Sequence, residues 1–239
     1  MAVLRFPAGG CVGKVTIGRV SGTVVEALGD VEYEPGTWIT LKLTKSDHLH
    51  SLRDLPTDAF KTVVFADADM NDDDLKDASF LAGLERLVLE GSAVSDEGLT
   101  HLGKITGLRR LFLGGCRITD RGMGSIAGIK NLERLDLTDT QVTDEGVRAL
   151  RDLKQLEAVM LEGTKVTDEV IDALEPLSAL KMVTFQRTAV TPQAVTRIAP
   201  HPHLNIWFDD DAPAEAIAEL QEKRPELVVN GVRHWSPGS

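Results

Sequence analysis

Cysteine occurs only twice in this 239-residue chain, as Cys11 and Cys116, and aromatic residues make up only 5% of it. Two thiols that far apart do not make a disulfide framework, so reduced thiols and a cytoplasmic setting are expected. No apolar run approaches the ~18 residues of a membrane span, and the opening MAVLRFPAGGCVGKV lacks the basic start and long apolar core of a secretion signal. Net positive charge is also missing. The formal charge is −11 and no region of the chain is basic, which works against binding to phosphate backbones and anionic lipid surfaces. Neither nucleic acid nor a membrane is therefore expected as a partner.

Reaction chemistry is equally scarce. No serine has the flanking glycines of a nucleophile elbow, and Cys116 has no histidine beside it in sequence. The glycine-rich stretch before Lys14 lacks the first glycine of a phosphate loop, and Val15 stands where that loop needs Ser or Thr. Asp67, Asp69, Asn71 and Asp73 alternate like calcium ligands, but Asp72 replaces the turn glycine and Ala78 the closing glutamate. His201 and His203 precede Asp209, Asp210 and Asp211, and His48 and His50 form another pair. His201 lies in the last apolar slot of its repeat and His203 just before the next strand, so a partly buried structural role is expected there, and His48 and His50 lack the fixed spacing to further ligands that a zinc site needs. No metal or cofactor is expected.

What the chain has in abundance is repetition. Leu84, Leu108, Leu132, Leu156 and Leu180 open five copies of one 24-residue pattern, L-x-x-L-x-L-x-x-T-x-V-T-D-E-G-[LV]-x-x-L-x-x-[LI], with substitutions. A fixed period of this length predicts a stack of units, because each has an apolar flank that only a neighbour can bury. Counting back from Leu84, a degenerate copy starts at Phe60; counting forward, another starts at Leu204 with its apolar phase slipped by one residue. The pattern predicts 60–203 as six repeats. Residues 1–59 are expected to form a β-rich N-terminal cap, with strands near Val12–Ile17 and Trp38–Leu43, and 204–239 a degenerate repeat and C-terminal cap.

Each copy encodes a strand and then a helix. In Leu132-Glu133-Arg134-Leu135-Asp136-Leu137 the fourth and sixth places point inward, while Arg134 and Asp136 point to the opposite face. Thr143 is expected to cap a helix whose first turn carries Asp144 and Glu145 at the favourable end of the dipole. Ser95, Thr119, Thr167 and Thr191 hold the same place, and Pro192 after Thr191 suits a first helical position. Strand, helix and strand in repeating order predict an α/β solenoid, a right-handed βα superhelix with a curved parallel sheet inside and helices outside.

On these residues the chain resembles leucine-rich repeat proteins, and its VTDEG turn is similar to that of bacterial members and of the ribonuclease-inhibitor-like and F-box-associated classes. The ninth place departs from the family's usual Asn or Cys: it holds Ser92, Cys116, Thr140, Thr164 and Thr188. The resemblance implies a non-catalytic scaffold that binds an intracellular protein through the concave sheet. The side chains expected there are Arg86, Val88, Arg110, Phe112, Arg134, Asp136, Met160 and Met182, with Arg110 and Phe112 at the centre. The three arginines form a ladder of like charge that Glu90, Asp136 and Glu162 can offset. Arg, Phe and Met are types enriched at interface centres. An inhibitor or immunity-type protein is a sharper form of the same expectation. A small metal-dependent hydrolase and a self-associating structural module are the alternatives.

Overall fold

A computed structural model of the chain describes residues 1–6, 12–18, 22–43, 55–56, 59–65, 70–77, 83–198 and 204–230. The expected strands of the repeat array are all present: β6 (Thr62–Phe65), β7 (Arg86–Val88), β8 (Arg110–Phe112), β9 (Arg134–Asp136), β10 (Ala158–Met160) and β11 (Met182–Thr184). Helices follow them in order: α1 (Asp72–Asp77), α2 (Asp96–Leu99), α3 (Asp120–Ile126), α4 (Asp144–Arg148), α5 (Val170–Leu174) and α6 (Pro192–Val195). The strands pair in parallel with their immediate neighbours, in a register that places Arg86 beside Arg110 and Arg110 beside Arg134. The architecture is an α/β leucine-rich repeat solenoid.

The core follows from the fourth and sixth places of each strand. Leu87, Leu89, Leu111, Leu113, Leu135, Leu137, Val159, Leu161, Val183 and Phe185 are all buried there. Val147, Leu150 and Leu153 meet them from the helical side. Removing one such side chain costs ~2–5 kcal/mol, because neighbouring repeats cannot collapse into the hole.

The sheet extends past the repeats at both ends. β5 (Ile39–Leu43) runs parallel to β6, and β2 (Gly13–Ile17) and β3 (Thr23–Glu26) add to it antiparallel. The strands expected near 12–17 and 38–43 are thus both observed, and the stretch 24–33, which has no clear pattern, splits into β3 and β4 (Asp30–Tyr33). β4 pairs instead with β1 (Ala2–Arg5) in a separate two-stranded sheet. At the other end, β12 (Asn205–Trp207) pairs with β11 through Met182 and Asn205, one residue short of the 24-residue step, as the slipped apolar phase predicts. α7 (Ala214–Lys223) and β13 (Val228–Asn230) complete the chain as described. No described helix is long and apolar enough to cross a membrane.

The loops before the helices carry a device that the pattern only hints at. Asp72, Asp96, Asp120, Asp144 and Asp168 each accept two hydrogen bonds from the capping residue one repeat later. The Thr143 amide donates to Asp120 Oδ1 at 2.8 Å and its hydroxyl to Oδ2 at 2.6 Å; the Thr143 oxygen in turn accepts from the Glu145 amide. Both oxygens of each carboxylate are therefore used, and the five rungs tie six repeats into one ladder.

The glycine of the VTDEG turn follows from the same contact. A Cβ on Gly122 would lie 2.5 Å from Asp96 Oδ1, and one on Gly98 equally close to Asp72 Oδ1. Val170 occupies this place in the next-to-last repeat, and there the regular helix starts at Val170 itself rather than two residues before it. The ninth place behaves as expected. The Thr140, Thr164 and Thr188 hydroxyls donate to the carbonyls of Leu137, Leu161 and Phe185, and the buried Cys116 thiol to that of Leu89.

Candidate interaction surface

The concave face is written in two rows of side chains, the third and fifth places of the strands. In the third row stand Arg86, Arg110 and Arg134, all half-buried, then Ala158 and Met182. Arg110 and Arg134 form no ion pair among the described residues, and adjacent guanidinium groups depress the affinity of Arg86 for its proton after burial has already done so. The neighbouring second place is built the opposite way. Lys61 pairs with Glu85, Arg109 with Glu133 and Lys181 with Glu157 along the same stack. Charge is thus balanced in one row and left like-signed in the row beside it.

The fifth row corrects an expectation. Val88, Phe112, Asp136 and Met160 do face the concave side, but they are not exposed: their relative exposures are 7%, 1%, 8% and 5%. Val88, Phe112, Met160 and Ala158 form a second apolar cluster, distinct from the main core, with Val64 and Met182 packed against it. Parallel strands stack like places ~4.8 Å apart, and long third-row side chains lean across the fifth row. The Arg86 guanidinium lies 4.8 Å from the centroid of the Phe112 ring and covers it. Phe112 is consequently a floor beneath Arg86. The surface a partner can reach on this row's flank is that of Arg86, Arg110, Arg134 and Met182.

Beyond the strand ends the loops enclose a groove of about 810 Å³. Its walls include Glu90, Asp136, Asp139, Glu162, Asp209, Asp210 and Asp211, with Met160, Met182 and Trp207 among its apolar surfaces. Burial pushes the Asp136 carboxyl above its usual range; hydrogen bonding from the Thr138 side chain and amide opposes this, and the nearby Glu162 and Asp139 charges add to it. Glu90 is raised for similar reasons, burial first and then Asp136, with Arg86 acting in the other direction. Of the three carboxylates expected to offset the arginine ladder, Glu90 is therefore the one whose charge Arg86 meets. Glu162 is engaged elsewhere, by Arg187 at 3.1 Å.

Arg187 also grips Asp139 with two bonds of 2.7 and 3.1 Å, reaching across two repeats. Both residues occupy the eighth place, where the backbone turns left-handed: φ is 53° at Arg187 and 55° at Asp139, against glycine at 91, 115 and 163. Gly163 lies between them, and a side chain there would collide with Asp139. Two bulky residues in that conformation cost energy that the salt bridge helps to offset. The sequence pattern marks neither Arg187 nor Trp207 as a site residue, since each becomes part of a wall only when successive repeats stack.

The metal candidates fare as follows. Asn71 accepts from the Asp73 amide while Asp74 accepts from the Asn71 amide, a reciprocal cap for α1, and Asp72 is occupied by Ser95. Asp67, Asp69, His48, His50, His201 and His203 lie outside the described residues. Among the described residues, no three His, Cys, Asp or Glu side chains are grouped to hold a metal ion.

A leucine-rich repeat family model matches residues 106–127 and 129–150. No curated protein matches the chain in sequence. Among solved structures it is similar to an internalin C2 from Listeria monocytogenes, with a TM-score of 0.51 and 18% identity over 80% of this chain and 79% of that one. At that identity the likeness concerns the fold.

Proposed function

We propose that this chain is a non-catalytic scaffold that captures a protein partner on its concave sheet. The observation that carries the proposal is the arginine row. Arg86, Arg110 and Arg134 stand in register on the concave face, and the latter two lack ion-pair partners among the described residues, while the adjacent second place is charge-paired along the stack. Like charges in contact destabilise the free chain, so a row of them is best explained by a partner that supplies acidic groups. A bacterial-type repeat protein acting in the cytoplasm, as an inhibitor or immunity-type protein, is the narrower form of this proposal. The matched repeats and the buried, reduced Cys116 are in keeping with it.

Arg110→Glu/Arg134→Glu tests the assignment. Partner capture from lysate of the source cells should fall by at least about tenfold while the far-UV circular dichroism spectrum stays the same. Equal capture by the wild type and the double variant would remove the concave face from the proposal.

A further inference from the structure

The arginine row has a geometry as well as a sign. Arg110 and Arg134 are register partners on adjacent parallel strands, ~4.8 Å apart, and neither forms an ion pair among the described residues. Arg86, the third of the row, already lies over the Phe112 ring with Glu90 as its acidic neighbour. In the other direction the row continues through Ala158 to Met182. Ala158 is only 4% exposed, so the half-buried Met182 is the next side chain in the row that a partner can touch.

Whatever covers this row must cross the strands, and that constrains its backbone. The strands β7 to β10 are each paired on both sides, so the face offers no free edge to an extended segment. Laid over it, an extended chain would bury amide and carbonyl groups without partners, whereas a helix satisfies its own. The spacing points the same way. On a helix, positions i+3 and i+10 lie ~4.5 and ~15 Å along the axis from position i, on the same side. Arg134 and Met182 lie ~5 and ~14 Å along the row from Arg110. The side chains of an extended segment return to one face only every ~6.7 Å and would miss Arg134 by about 2 Å. The groove past the strand ends adds a boundary, because Glu90, Asp210 and Asp211 on its walls repel an acidic segment and keep it over the third row.

We propose that the concave face receives an acidic amphipathic helix of the partner, laid across the strands with two carboxylates one turn apart on Arg110 and Arg134 and an apolar side chain about two turns farther on, against Met182. This rests on the concave-face proposal above and adds the partner's secondary structure and the order of its side chains. On the free helix the two carboxylates repel each other; the arginines relieve that repulsion, so docking should also raise the helicity of the segment.

The test uses the full chain and three capped sixteen-residue peptides of identical composition, built on alanine and glutamine with two glutamates, one leucine and one proline. The first carries glutamate at i and i+3 and leucine at i+10, with the proline at its end. The second moves one glutamate to the opposite helical face, and the third keeps the first order but holds the proline at its centre, where it breaks the helix. In calorimetric titration the first should bind the wild type at least about fivefold more tightly than either of the others, with a gain of helical circular dichroism on binding. Arg110→Gln/Arg134→Gln should abolish that preference, and Arg121→Gln/Arg148→Gln, an equal change of charge on α3 and α4, should keep it. Equal binding of the three peptides, tighter binding of the proline-centred one, or a preference that survives Arg110→Gln/Arg134→Gln would overturn the acidic helix. Capture by the Arg110→Glu/Arg134→Glu protein is read separately. If that variant loses the native partner while the peptides bind alike, the concave face stands and only the helical form of the partner fails.

Discussion

The two sides of each repeat are built on opposite plans. On the loop before the helix, one Asp meets one Ser or Thr five times over, with bond lengths between 2.6 and 3.0 Å at every rung. On the concave face, the fifth row changes from valine to phenylalanine, aspartate and methionine in four successive strands. The uniform side offers a partner nothing that distinguishes one repeat from the next, and its groups are already spent on one another. The varied side leaves a like-charged row, and beside it a carboxylate whose ionisation burial opposes. Regularity marks where the chain invests in its own stability, and irregularity marks where it can recognise something else.

This contrast can be broken most severely at the ladder. Gly122→Val would force a side chain into the space of Asp96 and Leu99, and a loss of about 3 kcal/mol is expected in urea unfolding. Asp120→Ala removes both acceptors of Thr143, for a loss of about 2 kcal/mol in the same measurement. Gly124 supplies the control on the same helix, because nothing lies within 4 Å of the position its Cβ would take. Gly124→Ala should therefore stabilise by ~0.5–1 kcal/mol.

On the concave side the effects should shrink or change sign. The raised Asp136 carboxyl means that the folded chain holds this proton more tightly than the unfolded chain does. Its contribution to stability is present below the ordinary aspartate pKa of about 4 and is lost as pH rises through the raised folded value. Asp136→Asn should consequently raise the melting temperature at pH 7, and the gain should fade on acidification toward pH 4. A lowered melting temperature at pH 7 would mean that Asp136 serves the fold after all. Least affected should be Arg110→Glu, within ~0.5 kcal/mol of the wild type, because it removes one like charge and breaks no described ion pair.

Much of the fold was legible because apolar spacing and helix caps are local signals. The 24-residue period located six strands, and Ser95, Thr119, Thr143 and Thr191 cap their helices where the pattern placed them. The one-residue slip before β12 was visible too, since apolar phase and strand register are the same fact read twice. The candidate site was legible only in part. Alternation put Arg86, Phe112 and Asp136 on the concave face, but alternation cannot say how far an arginine on one strand leans over a ring on the next. Alternation therefore reads Val88, Phe112 and Met160 as exposed, where the stacked array buries them. Arg187 and Trp207 gave no signal, because their relation to Asp139 and Asp136 crosses two or three repeats.

The sequence alone determined the solenoid, its period and which face each strand residue takes, because these depend on chain geometry and on where apolar groups recur. Only the tertiary structure decided what those faces are worth. Stacking turned the aspartate of VTDEG from a dipole partner into a clamp on the next repeat, and so left little room for a side chain at Gly98, Gly122 and Gly146. The same stacking laid Arg86 over Phe112 and buried Asp136 between Phe112 and Met160, with no ion pair among the described residues. Each of these outcomes depends on distances between residues about 24 or more apart in the chain, which no local pattern encodes.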